Sequence, residues 1–154
     1  YLGVWINLDL NWNKQTQATS FQYSTYISYL YKKCFNATQT MEILNLVVFP
    51  AITYRMNIVY FPPKVVEKWD KMARNLIAFK LKENQYIGSN QWYLPYKYLG
   101  YNLFRLKDLQ KICLIPNYMN YAANFVNNMQ HKVLMQYSWK ENKELAVTIL
   151  KNLN

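Results

Sequence analysis

The sequence predicts a mainly α fold, a helical bundle with a short N-terminal strand and a short extended segment near 92–103. Three observations carry that prediction. Apolar residues recur at helical spacing through most of the chain. Hydrophobic residues fill 52% of its 154 positions, enough for a substantial core. Only 3 Gly and 5 Pro interrupt it, too few for a turn-rich all-β fold. The length fits one compact domain, or one with a small appendage; the division expected is a helical domain over 1–104 and a C-terminal helical extension over 105–154.

Residues 1–8 are rich in β-branched and aromatic residues and read as a strand. One strand is not stable alone, so its partner is either a piece of this chain near 92–94 or a segment upstream of residue 1. The chain opens at Tyr1 inside that strand, without an initiator Met, and a fragment of a longer protein is expected. Residues 9–13 form a turn with two helix-capping candidates. A helix follows over 14–34, its apolar stripe made by Tyr23, Tyr26/Ile27, Leu30/Tyr31 and Cys34. Another face carries Ala18, Gln22, Thr25, Tyr29 and Lys32, and is uncharged until its last turn. That face fits either an ordinary solvated surface or one that approaches a polar ligand.

The stretch from 36 to 81 is the predicted spine. Asn36, with Gln39 three residues on, starts a helix over 38–60 in a weak form of the capping box. From Met41 to Met56 apolar residues lie on every side of the helical wheel, and only Glu42 and Arg55 carry charge. A helix of that kind has to be enclosed, so Leu46 and Val47 are expected inside, where truncation to Ala leaves a cavity. Pro50 is expected to kink it rather than end it. Pro62-Pro63 is the stop, and Pro63 suits the first turn of the next helix, over 63–82. There Val65, Val66, Trp69, Met72, Ala73 and Leu76 form the buried stripe. Lys64, Glu67, Lys68, Lys71 and Asn75 lie opposite. Beyond a polar loop at 83–90 and extended material at 91–101, a short helix ends before Pro116. Two more are expected near 117–137 and 141–153.

The chain carries 18 Lys and Arg against 8 Asp and Glu, a net charge of +10 spread along its length. AT-rich codon usage would enrich Lys, Asn, Tyr and Ile together, but does not account for the scarcity of acids. A basic folded surface attracts polyanions, nucleic acid first and an acidic membrane face second. The longest apolar run is too short to cross a bilayer, and no signal peptide is present, so no membrane partner is expected. Two cysteines, Cys34 and Cys113, at helix-core spacings fit a reduced, intracellular chain of nucleus or cytoplasm, not a secreted one.

No catalytic constellation can be assembled. His131, the only histidine, has no Cys or carboxylate at ligand spacing. The close acid pairs, Glu67/Asp70 and Glu141/Glu144, sit among lysines and read as salt partners on helix surfaces. Three separated glycines cannot build a phosphate-cradling loop. By itself the segment is expected to be no enzyme, with no metal ligands and no cofactor.

Tyr1-Leu2-Gly3-Val4 followed by Leu10-Asn11-Trp12 resembles the junction after the palm of non-LTR (LINE-type) retrotransposon reverse transcriptases. Val48-Phe49-Pro50-Ala51-Ile52-Thr53-Tyr54-Arg55-Met56 is similar to that family's apolar-Pro-x-x-x-Tyr-Arg thumb helix. Pro62 and the run from Trp69 to Ile77 resemble its next helix. Tyr93-Leu94-Pro95 and Tyr98-Leu99-Gly100-Tyr101-Asn102-Leu103 resemble its Leu-Pro followed by Gly-Gly-Leu-Gly-Leu, although Lys97 and Tyr98 stand where the first two glycines would be. The likeness covers about residues 1–105. It implies a polymerase-thumb-like bundle, a segment of an RNA-directed DNA polymerase that holds the template–primer duplex. The family's catalytic palm, with its Mg ions, would lie upstream in the parent chain and would be a second partner.

The residues converge with that implication. A thumb needs a cationic face for phosphates and a slim polar face able to approach the shallow minor groove of an A-form duplex. Candidate nucleic-acid-binding residues are therefore Lys14, Gln22, Thr25, Tyr29, Lys32 and Lys33 on the first long helix, and Lys64, Lys68 and Lys71 on the third. Two readings of other classes stay open: a stand-alone basic helical RNA-binding module, and a tyrosine-rich protein–protein interaction domain.

Overall fold

The computed structural model describes residues 4–5, 11–82, 88 and 90–123, those beyond 116 as backbone. Among them the fold is mainly α, with no strand. The helices are α1 (Asn13–Lys32), α2 (Ala37–Ile43), α3 (Phe49–Met56), α4 (Pro63–Leu81) and α5 (Leu106–Ala123). The chain divides into two compact units, Tyr1–Leu109 and Gln110–Asn154. The expected helices near 117–137 and 141–153, the loop over 83–87, His131 and the Glu141/Glu144 pair lie wholly or largely outside the described residues.

Of the predicted N-terminal strand only Val4 and Trp5 are described, and neither is in a strand. Trp5 donates its amide to Gln15 Oε1 at 2.8 Å, and Gln15 Nε2 donates to Thr19 Oγ1 at 3.1 Å. Gln15 and Thr19 are both buried, so the core side of α1 opens with a satisfied polar pair before Tyr23, Ile27 and Leu30 continue it. Cys34, predicted at a core spacing, lies past the end of α1 and is exposed.

The capping box at the start of α2 is complete. Asn36 Oδ1 accepts from the Gln39 amide at 2.8 Å, and Gln39 Oε1 accepts from the Asn36 amide at 3.2 Å. Between α2 and α3 the helix continues through a π-helical turn, Leu44–Val48, in which the Phe49 amide reaches back to the Leu44 carbonyl. Pro50 follows at once. Proline has no N–H to give, and its ring crowds the carbonyl four residues back; the wider turn relieves both.

Two contacts at successive levels show that α1 and α4 run parallel. The Tyr23 hydroxyl donates to the Trp69 carbonyl at 3.0 Å, with ring centroids 5.7 Å apart. Further along, Tyr31 meets Phe79 at 5.2 Å, and Lys80 Nζ donates to the Tyr31 and Lys33 carbonyls. A cation from α4 thereby caps the end of α1, where carbonyls lack partners. The α2–α3 helix returns the chain antiparallel to both. Tyr23, Leu44, Phe49, Ile52, Met56, Phe61, Trp69, Leu76 and Ile77 fill the space among them, with Phe61 against Trp69 at 5.1 Å.

The central helix is not enclosed. Leu46 is 72% exposed, Val47 62% and Tyr54 47%, so truncating Leu46 or Val47 leaves no cavity. An apolar sequence says what a helix could bury, not how many neighbours cover it. Here the buried stripe is Met41, Leu44, Val48, Phe49, Ile52 and Met56, and the opposite side carries apolar residues outward.

The segment from 90 to 105 is a loop closed on itself rather than extended material. The amides of Gly100, Tyr101, Asn102 and Leu103 bond back to the carbonyls of Pro95, Gln91, Leu94 and Trp92. Gly100 is required there, because a Cβ would lie 2.0 Å from the Leu94 carbonyl oxygen. Asn45, in the π turn, holds the loop from outside: its Nδ2 donates to the Asn102 carbonyl at 2.8 Å and its Oδ1 accepts from the Phe104 amide at 3.1 Å. Trp92 and Leu103 plug the loop into the core.

After the loop, α5 runs on through Pro116 instead of ending before it. The carbonyl deprived of its donor is that of Ile112, whose residue is exposed, so water can take the place of the missing amide.

Candidate nucleic-acid interface

Helix α4 is amphipathic, and its buried side is fixed by Val66, Trp69, Asp70, Ala73, Leu76 and Ile77. At about 3.6 residues per turn, Lys64, Lys68 and Lys71 fall on the opposite side. All three are exposed, and none has a hydrogen-bond or ring partner among the described residues. Lys82, in the left-handed conformation at the C-cap, extends the row. Glu67, exposed one turn from Lys64 and from Lys71, offsets part of this charge. Lys80 does not belong to the row, since its ammonium is taken up by the end of α1.

The candidate residues of α1 lie elsewhere. Tyr23 and Tyr31 face α4, and the helical rotation then turns Ala18, Gln22, Thr25 and Tyr29 away from α4. The structure therefore does not bring the polar face and the lysine row onto one surface. Two groups of that face are already engaged: Gln22 Nε2 donates to the Tyr26 hydroxyl at 2.7 Å, and Thr25 Oγ1 donates to the Phe21 carbonyl at 3.0 Å. Tyr29 is exposed, with the Lys33 ammonium 4.8 Å above its ring, and Lys32 is exposed beside them. Phe21, 75% exposed on the neighbouring row, makes the face less polar than its spacing implied. At the other end of α1, Lys14 sits 4.0 Å over the ring of Trp5.

Asp70 is the residue that sequence reasoning misplaced. It is not a surface salt partner but is 2% exposed, with Oδ1 accepting from the Leu106 amide at 2.9 Å and Oδ2 from the Lys107 amide at 3.4 Å. It caps α5 from α4, satisfying two of the amides that a helix start leaves open. Burial pushes its carboxyl above the ordinary range, opposed by those two amides and by the charges of Arg74 and Arg105. Both arginines also approach one ring, Tyr93, at 5.9 and 5.3 Å from its centroid. The only sequence trace of this arrangement was the Asp70/Arg74 spacing, which an exposed ion pair would share.

Among the described residues no three His, Cys, Asp or Glu side chains gather as a metal site, and no helix is long and apolar enough to cross a membrane. No protein-family model, curated protein or solved structure matches the chain.

Proposed function

We propose that this segment holds a nucleic-acid duplex for a polymerase, as the thumb of an RNA-directed DNA polymerase of the non-LTR type. It carries no chemical step itself; the palm of the parent chain, with its Mg ions, supplies the reaction. The observation that supports the reading is the row Lys64, Lys68 and Lys71, outward and unpartnered on a helix locked by the Trp69 core. Spaced four and three residues apart, the three ammonium groups cover about 10 Å of helix and can follow a phosphate strand. The face of Gln22, Thr25 and Tyr29 acts as a separate contact to sugars or base edges, and phosphate contacts position the duplex without reading its sequence.

Titration of an RNA–DNA hybrid at several salt concentrations tests this. Reversing Lys64, Lys68 and Lys71 to Glu should weaken binding and flatten the slope of log K against log salt by about one unit per contact. Gln22→Ala and Thr25→Ala should lower affinity with the slope nearly intact. A triple reversal that leaves affinity and slope unchanged refutes the assignment.

A second reading, a protein–protein interaction domain, is favoured by the exposed apolar side of the central helix, where Leu46, Val47 and Tyr54 face outward, with Ile58 exposed in the turn that follows. Nucleic-acid binding that is weak and indifferent to salt would select it.

A further inference from the structure

We propose that Arg74, Arg105 and Tyr93 form an anion site that takes a phosphate group. Its use for a backbone phosphate of the bound duplex rests on the function proposed above; the anion chemistry does not.

The site is assembled from α4, the closed loop and the residue before α5. Tyr93 stands in the loop held by Gly100 and Asn45, and the Arg74 Nη1 donates to its hydroxyl. That hydroxyl accepts one hydrogen bond and still has its own proton, for which the described residues offer no acceptor. Arg105 lies 5.3 Å from the centroid of the same ring, and its guanidinium has no hydrogen-bond partner among the described residues. Stacking over an aromatic face orients a guanidinium while leaving its donor fork open. A phosphate oxygen suits such a fork, which binds it bidentately, and a phenol can add a further donor.

The simpler account is that the two arginines only balance Asp70. Its lone pairs, however, are directed at the Leu106 and Lys107 amides, so the arginines act on it through space. The buried Asp70 and the exposed Asp108 in the first turn of α5 stand against Arg74, Arg105 and the exposed Lys107, which leaves one positive charge in excess. Burial first, then the Asp70 charge, raises the Tyr93 phenol above its ordinary value, so it stays a donor at neutral pH.

The test uses the full chain. Arginine side-chain NMR signals are followed during titration with inorganic phosphate, and affinity for an RNA–DNA hybrid is measured against salt. Phosphate should shift the Arg74 and Arg105 signals saturably, and Arg105→Gln should abolish the effect at Arg74. The same variant should weaken hybrid binding and lower its salt slope by about one unit. Arg105→Lys should keep the slope but bind less tightly, because the charge stays and the fork is lost. Tyr93→Phe should weaken phosphate binding while the ring stays in place. If the hybrid does not bind but phosphate still shifts Arg105 saturably, the function proposed above fails and this site stands as one for free phosphate. If the hybrid binds and Arg105→Gln matches the wild type in affinity and slope, the inference is overturned. A melting temperature that moves in Arg105→Gln without change in either titration assigns the residue to balancing Asp70, and overturns it equally.

Discussion

A methyl group at position 100 would lie 2.0 Å from the Leu94 carbonyl oxygen and 2.4 Å from the Leu94 carbonyl carbon, both backbone atoms. Gly100→Ala therefore cannot be absorbed by a side-chain rotation; the two arms of the loop have to separate. Overpacking of this kind costs about 1–3 kcal/mol. The same movement breaks the bonds from Gly100 to Pro95 and from Asn102 to Leu94, at 3.2 and 2.8 Å. Each contributes about 1 kcal/mol net, so a total loss of about 3–5 kcal/mol is expected. With a urea dependence of about 2 kcal/mol per molar, the midpoint should fall by about 1.5–2.5 M. Gly88→Ala is the control, since its Cβ meets nothing within 4 Å. Hydrogen exchange at Asn102 and Leu103 should quicken in the Gly100 variant alone. Equal midpoints for Gly100→Ala and the wild type would refute the argument that the loop is closed by backbone contact.

Leu44→Ala, at a fully buried position, should cost about 2–5 kcal/mol, whereas Leu46→Ala and Val47→Ala should stay within about 0.5 kcal/mol of neutral by thermal melting. Tyr23→Phe removes the donor to the Trp69 carbonyl and should cost about 1 kcal/mol, with the fold unchanged by circular dichroism. For Asp70 the pH dependence has a defined sign. Its folded-state pKa is raised, chiefly by burial, so its stabilising contribution is full below the unfolded value of about 3.9 and is lost as pH rises through the folded value. Melting temperatures of the wild type should therefore fall relative to Asp70→Asn across that window and run level above it; a relative rise would mean that the amides and arginines outweigh burial.

The long helices were legible because their punctuation is local. Asn36 with Gln39, and Pro63 at a first turn, fix two starts without any tertiary information, and α1, α2–α3 and α4 fall close to the predicted 14–34, 38–60 and 63–82. The π turn was not legible, since a helical wheel assumes constant pitch. Nor was the exposure of Leu46, because composition does not report which neighbours arrive. The loop at 90–105 has the aromatic content of a strand, yet its amides find carbonyls within the loop itself. For the candidate interface, the lysine row of α4 could be read from spacing alone. That the polar face of α1 turns away from it depends on Tyr23 and Tyr31 meeting α4, which only the packed chain decides.

The π turn also bears on how this chain can change length. Leu44–Val48 accommodates one residue more than an α-helix needs over the same advance. Removing Val47, which is exposed, would tighten the turn to α pitch while keeping the core-facing side of α3 in its present direction. The same deletion inside α3 has no slack to draw on and would swing Met56 by about 100° out of the core. Deletion of Val47 alone, however, sets the Pro50 ring against the carbonyl then four residues back, the crowding that the wide turn now relieves. The extra residue and the proline are thus a matched pair, and a homologue shorter by one at this point would be expected to have dropped both.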